Sequence, residues 1–262
     1  MVKKSILILL ILSVLFVFSC QRKDTTSESG EDVILNYVPE DLSTITTPGF
    51  AITTSAALYR ISGDDAGTPA TKTVWAAALA LGESIQVGES RRMTFQGNNR
   101  EQDWIAIRRT DGTEGWATAL SVVPAGRLAV VIEDRTFLHT QPGSINVSRH
   151  TLSRQSVVVF YPETESGGFV SVRGYDVVRK VFVTEDNSFV RRNSLSIREA
   201  DVQSAILLQT ALTLTTELQK PRRDALLESA LLDYPDSVFS SEIFEVANPN
   251  TSGVIIHDFD TQ

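Results

Sequence analysis

Between residues 104 and 123 the chain reads WIAIRRTDGTEGWATALSVV, with apolar and polar positions alternating on both sides of Asp111-Gly112. A period of two marks a half-buried strand, because successive side chains point to opposite faces. Asp-Gly between two such runs is a hairpin signal, since both residues tolerate the positive φ of a two-residue type I′ turn. The pattern places Trp104, Ala106 and Arg108 on one face and Ile105 and Ile107 on the other. A two-residue turn then sets Arg109 opposite Glu114 and Ile107 opposite Trp116, which puts Trp116 in the core. Gly115 marks a place where only bare backbone fits.

Further short strands are expected at Ala57-Leu58-Tyr59 and at Leu81 to Val87, and the run WAAALALG from Trp75 is read as a strand. The order Trp, alternating strand, Asp-Gly turn, Gly-Trp, short strand and Leu-Ser-Val-Val exit resembles the end of a bacterial SH3-like (SH3b) domain. With the two upstream strands the resemblance covers about 75 residues, near the size of one small domain. Ile61 to Thr73 departs from the family as a long polar insertion.

A weaker copy follows. Phe169 to Asp176 parallels Trp104 to Asp111, Phe137-Leu138-His139 parallels Ala57-Leu58-Tyr59, and Leu195-Ser196 parallels Leu120-Ser121 at the exit. Val177 to Val183 reads as an additional strand, with its turn at Glu185 to Ser188, so the offset between the copies is not constant.

From residue 198 the period changes. Val202, Ala205, Ile206, Leu208, Leu212 and Leu218 recur at three- and four-residue spacing, and Ser196 with Glu199 has the form of a capping box. Pro221 opens a second helix, Pro235 stops it, and a third short one is expected through Val238, Ile243 and Phe244. Residues 231 to 237 loosely resemble the end of a tetratricopeptide helix pair, but one pair cannot make a solenoid. A helical cap on the second β unit is the expected arrangement. The fold class expected is therefore mainly β: two tandem small SH3-like β-barrels followed by a short α-helical C-terminal region.

The first twenty residues read differently. Lys3 and Lys4 precede an apolar run from Ile6 to Phe18 that ends in Val17-Phe18-Ser19-Cys20. The run is short for a membrane span and has the form of a signal peptide. Its end resembles a relaxed lipobox of bacterial lipoproteins, which implies cleavage before Cys20 and lipidation of that cysteine. Acyl chains anchor stably without a helix, because many methylenes are buried. Cys20 is the single cysteine, so no internal disulfide can form. The expected organisation is a signal peptide over 1–19, a lipidated tether over 20–48, SH3-like units over 49–126 and 127–197, a helical region over 198–248 and a tail over 249–262.

Charge and chemistry narrow the function. The net charge of −8, with only Arg91-Arg92 and Arg108-Arg109 as short basic runs in the first unit, argues against nucleic acid. The cysteine peptidases that carry SH3-like units need a Cys–His pair, and the one cysteine is the lipid site. His139, His150 and His257 have no metal-ligand spacing, and no G-x-S-x-G, S-x-x-K or phosphate-binding loop occurs. No cofactor and no catalytic residue are expected, so the chain reads as a non-enzyme. What remains is binding, and the resemblance implies peptidoglycan or an envelope protein as ligand. The candidate ligand residues are Tyr59 and Trp104 with Arg108 as an anion partner; Trp75 and Trp116 are further aromatics of the same stretch. The expected setting is the cell envelope, with the membrane as partner through the lipid. The alternatives are a surface lipoprotein that binds host or extracellular molecules, and an accessory subunit of a cell-wall hydrolase.

Overall fold

A computed structural model describes residues 45–62, 72–94, 101–143, 145, 147–176, 178–183 and 188–249. Cys20, the signal and tether segments up to residue 44, and the tail from 250 lie outside the described residues. The described chain is mainly β, with curled sheets followed by helices.

The first sheet holds β1 (Thr47–Ala51), β2 (Ala56–Ser62), β3 (Lys72–Leu79), β4 (Ser84–Met93), β5 (Gln102–Arg109), β6 (Glu114–Thr118) and β7 (Val122–Pro124), in the order β3-β2-β6-β5-β4-β1-β7. The run from Trp75 is a strand, as expected. Thr47-Pro48-Gly49, expected to close the tether, instead begins β1; proline is tolerated at a strand's start.

The second sheet holds β8 (Arg127–Val131), β9 (Arg135–His139), β10 (Val147–Ser153), β11 (Val157–Ser166), β12 (Phe169–Asp176), β13 (Val181–Val183), β14 (Phe189–Arg191) and β15 (Leu195–Ser196). Its order is β10-β9-β14-β12-β11-β8-β15, with β13 added on β12. With β13 set aside, this is the first sheet's order strand for strand. Each unit also places a short 3₁₀ turn, 119–121 or 192–194, before its last strand.

The registers give residue equivalents. Tyr59 pairs with Trp116 where His139 pairs with Phe189. Trp104 faces Thr118 where Phe169 faces Arg191. Ile52 N–H donates to the Ser121 carbonyl at 2.9 Å, and Ile132 N–H to that of Ser194 at 3.0 Å. Ser194 is thus the partner of Ser121 and Leu195 that of Val122, so the exit read from sequence was displaced by two residues. Both copies need a left-handed residue before the fourth strand: Gly82 has φ +75° and Gln155 φ +68°. The added strand β13 is shorter than expected and is preceded by a turn at 178–180, while Glu185 to Asn187 of the turn expected after it lie outside the described residues. There Asp176, buried, accepts from the Arg179 amide at 3.0 Å and from the Ser153 amide at 2.9 Å.

The turn at Asp111-Gly112 has three residues, not two. Arg109 N–H donates to the Thr113 carbonyl, Gly112 N–H donates to the Arg109 carbonyl, and Gly112 takes φ +83°. This is a type I turn closed by a left-handed glycine. The extra residue shifts the register by one, so Arg108 faces Glu114, Ile107 faces Gly115 and Ala106 faces Trp116. Trp116 therefore lies on the face opposite Ile107. Gly115 sits in regular register; a Cβ there would come within 2.6 Å of the Tyr59 carbonyl.

Three cores result. Leu58, Leu79, Ile85, Val87, Ile105 and Ile107 fill the first unit, and Leu138, Leu152, Val158, Phe160, Val170 and Val172 fill the second. The connecting Ala125 and Gly126 both take positive φ, and Ile52, Val123 and Val159 join the units across that turn. The Tyr161 hydroxyl donates to the Pro124 carbonyl at 3.2 Å, and burial pushes its phenol pKa up.

The helices are α1 (Glu199–Thr213), α2 (Lys220–Asp233) and α3 (Ser240–Ala247). Val202, Ala205 and Leu208 of α1 pack on Val130 and Val157, and the same core includes Leu81 of the first unit, Phe239 at the N-cap of α3 and Ile243 within it. The cap thus touches both β units. The expected Ser196–Glu199 capping box is not formed: Arg198 is the N-cap, and the Ser196 hydroxyl donates to buried Asp201 at 2.5 Å. Leu218, counted in the helical stripe, lies beyond α1 in a 3₁₀ turn and is exposed. Arg154 ties the second sheet to the cap: it donates to Glu242 at 2.7 Å and to the carbonyls of Ile132 and Val238, with its guanidinium 5.0 Å from the Phe239 ring.

Phe239 is fully buried at that junction. Phe239→Ala is expected to lower the unfolding free energy by about 3–5 kcal/mol, through lost transfer energy and the cavity left behind. Urea titration of the full chain measures this; an unchanged midpoint would mean that the cap contributes nothing to the β units.

Candidate functional site

Alternation along β5 and the turn register decide where the sequence candidates fall. Tyr59 is half-buried on β2, and its ring meets Trp104 edge-on, with centroids 6.0 Å apart and planes at 74°. Trp104 is only 5% exposed. It forms a small second cluster with Ile45, Ala106 and Trp116 on the face opposite the main core. Arg108 lies on the same face of β5 as Trp104, its Nε donating to Glu114 Oε1 at 2.5 Å. The structure thus brings Tyr59 and Trp104 together, while Arg108 is engaged across the hairpin. Trp75, opposite Tyr59 on edge strand β3, is 63% exposed and is the aromatic that this face presents to solvent.

The short basic runs are paired. Arg91 meets Glu89 at 2.5 Å, Arg92 lies 3.5 Å from Glu101, and Arg109 reaches Glu83 at 2.6 Å and Asp111 at 2.7 Å. The bond to Glu83 holds the Arg109 pKa above its ordinary value. Arg91 also stands 5.4 Å above the Trp116 ring. Among the described residues there is no group of three or more His, Cys, Asp or Glu that could hold a metal ion. No described helix is long and apolar enough to cross a membrane.

The second unit carries surface concavities that the sequence does not mark as a site. Two concavities flank Arg191. One, of about 470 Å³, lies between the Gly167-Gly168 turn and the 3₁₀ turn that carries Arg192 and Asn193. The other, of about 320 Å³, lies where β9 and β14 meet, against Arg135, Phe137 and His139. His139 packs edge-on against Phe169 at 4.8 Å and 73°, repeating the Tyr59–Trp104 contact of the first unit. The Arg191-Arg192 pair at the end of a strand, and Phe137 alternating outward between Thr136 and Leu138, were the sequence signals for this place.

No protein-family model matches the chain, and no curated protein matches it. A solved structure of NlpC2 from Trichomonas vaginalis aligns at 12% identity over 65% of this chain and 57% of its own length, with a TM-score of 0.21. An alignment at that score fixes neither fold nor function, and this chain spans little more than half of that protein.

One titration follows from the hairpin. Hydrogen bonds from the Thr113 amide and hydroxyl, with the charge of Arg109, hold the Asp111 carboxyl below its ordinary 3.8. A depressed folded pKa stabilises the turn above the unfolded value, and that contribution is lost as pH falls through the folded one. The Thr113 amide resonance is expected to titrate with a midpoint below 3.8 and to stop titrating in Asp111→Asn. A midpoint at or above 3.8 would contradict this turn geometry.

Proposed function

We propose that this chain is a lipid-anchored protein of the bacterial cell envelope that binds its ligand through two tandem SH3-like β-barrels and catalyses no reaction. The observation that carries the reading is the repetition of one seven-strand order in both sheets, beginning from a hairpin whose sequence resembles SH3b domains. The lipobox-like end at Cys20 supports anchoring by acyl chains, with the polar stretch after it as a tether. The ligand proposed is peptidoglycan or an envelope protein. On the first unit the aromatic edge of Trp75 and Tyr59 is the place for it, with Trp104 supporting the Tyr59 ring from below and Arg108 beside it on the same face.

Two measurements test this. Cys20→Ser is expected to abolish incorporation of labelled palmitate and to release the chain from the membrane fraction; labelling that persists would remove the anchor from the reading. The full chain in detergent is expected to co-sediment with insoluble peptidoglycan and to lose most of that binding in Trp75→Ala. Failure of the unaltered chain to sediment would exclude the wall as ligand.

A further inference from the structure

Apart from the added β13, the two units share their strand order, and they part at one corner. The registers set Arg135, Phe137, Arg191 and Arg192 of the second unit on the positions of Ser55, Ala57, Thr118 and Ala119 in the first. In the first unit this corner is small and closed, with the Thr118 and Ser121 hydroxyls 2.6 Å apart. In the second it opens into the two concavities that meet at Arg191. Three arginines and one glutamate, Glu133, line them, in a chain of net charge −8.

The guanidiniums there are held but not neutralised. Arg192 donates to the Leu195 carbonyl at 3.1 Å and lies 5.1 Å from the Phe160 ring. Arg135 stands 5.1 Å over the Phe137 ring. Arg191 is exposed and, among the described residues, has no carboxylate within ion-pair distance, unlike Arg91, Arg92, Arg108 and Arg109 of the first unit. Guanidinium forks match a carboxylate with two parallel hydrogen bonds. Apolar steps stand beside them: Phe137 and Val147 are 46% and 47% exposed at the same concavity. At its floor Thr136 is 2% exposed, and its hydroxyl makes no hydrogen bond among the described residues.

The shape is that of a gap between strands. Among the described residues β9 and β14 share one register pair, His139 with Phe189, as β2 and β6 share Tyr59 with Trp116, and past that pair the second unit carries Phe137 and Arg191 where the first carries Ala57 and Thr118. On the far side of Arg191, Gly167 and Gly168 leave open space where side chains would stand. An extended backbone fits such a gap, and a carboxylate beside an apolar side chain fits its lining. A bare inorganic anion would use the arginines and leave Phe137 and Val147 without a role.

We propose that the cleft around Arg191 binds a short extended peptide by its carboxylate, with an apolar side chain of that peptide against Phe137 and Val147. This deepens the binding reading given above, on which it rests, and moves the ligand contact to the second unit.

The test titrates N-acetyl-Ala-Leu, with its free C-terminal carboxylate, into the full chain in detergent by calorimetry, beside its C-terminal amide and sodium phosphate. The free acid is expected to bind roughly tenfold more tightly than the amide, the gain of one charge-assisted contact. Arg191→Gln is expected to erase that difference, and Arg222→Gln, on the exposed side of α2, to keep it. Arg191 is exposed, so an unchanged melting temperature should accompany its replacement. Equal binding of acid and amide, no binding of the acid, phosphate competing as strongly as the acid, or an acid preference that survives Arg191→Gln would each overturn the proposal. Peptidoglycan co-sedimentation separates the two readings. Sedimentation without acid preference sinks the peptide cleft and leaves the envelope-binding reading, whereas acid preference without sedimentation keeps the cleft and excludes the wall as ligand.

Discussion

The register of the β5–β6 hairpin is the constraint on which the first unit depends. Its turn spends one more residue than a two-residue hairpin, because Gly112 closes a type I turn in the left-handed region. That single residue sends Ile105, Ile107 and Ala117 into the main core and Trp104, Ala106 and Trp116 to the other face. A one-residue slip would exchange β6's inner and outer sets at once, which is why strand register is so strongly specified when one face is buried. The Asp111 carboxylate, accepting from the Thr113 amide at 2.8 Å, and the Arg108–Glu114 pair both belong to this register.

The second unit solves the same topology with different chemistry. Trp116 becomes Phe189, Tyr59 becomes His139 and Trp104 becomes Phe169, yet the edge-on ring contact survives. Gly82 becomes Gln155 and still takes positive φ, so the turn before the fourth strand is kept by its surroundings rather than by glycine's freedom. The Gln155 carbonyl accepts from the Gln209 side chain of α1, one of the contacts that holds it there. Where packing does not require a residue type the copies part, and the arginine-lined cleft is one of these departures.

The helical cap joins what the short linker brings together. Ala125 and Gly126 turn the chain sharply between the sheets, and a Cβ at Gly126 would press on Val159 and the Phe160 carbonyl. α1 then lies on Val130 and Val157 of one unit and on Leu81 of the other. Each fully buried aliphatic side chain there contributes roughly 1.5–3 kcal/mol relative to exposure, more than a surface ion pair such as Arg198–Asp236, which is worth about 0–1 kcal/mol. Apolar burial therefore holds the cap, and the buried Asp201, accepting from Ser196 and from the Val238 amide, orients it.

By itself the sequence determined the order of elements: alternation marked the strands of the Trp104–Thr118 hairpin, the three- and four-residue period marked α1, and Pro221 and Pro235 bounded α2. These are local properties, written in neighbouring residues and backbone preferences. The turn length at Asp111-Gly112 and the failure of Ser196 to cap α1 were set by which of several nearby hydrogen bonds formed, and the exit equivalence of Ser121 and Ser194 depended on partners distant in the chain. So did the sites. Tyr59 and Trp104 were legible as aromatics near the hairpin, but burial of Trp104 and exposure of Trp75 are decided by which face each strand turns inward. The Arg191 cleft could be seen only when Arg135, from β9, and Arg191, from β14, came together, because a gap between strands belongs to the pairing and not to either strand.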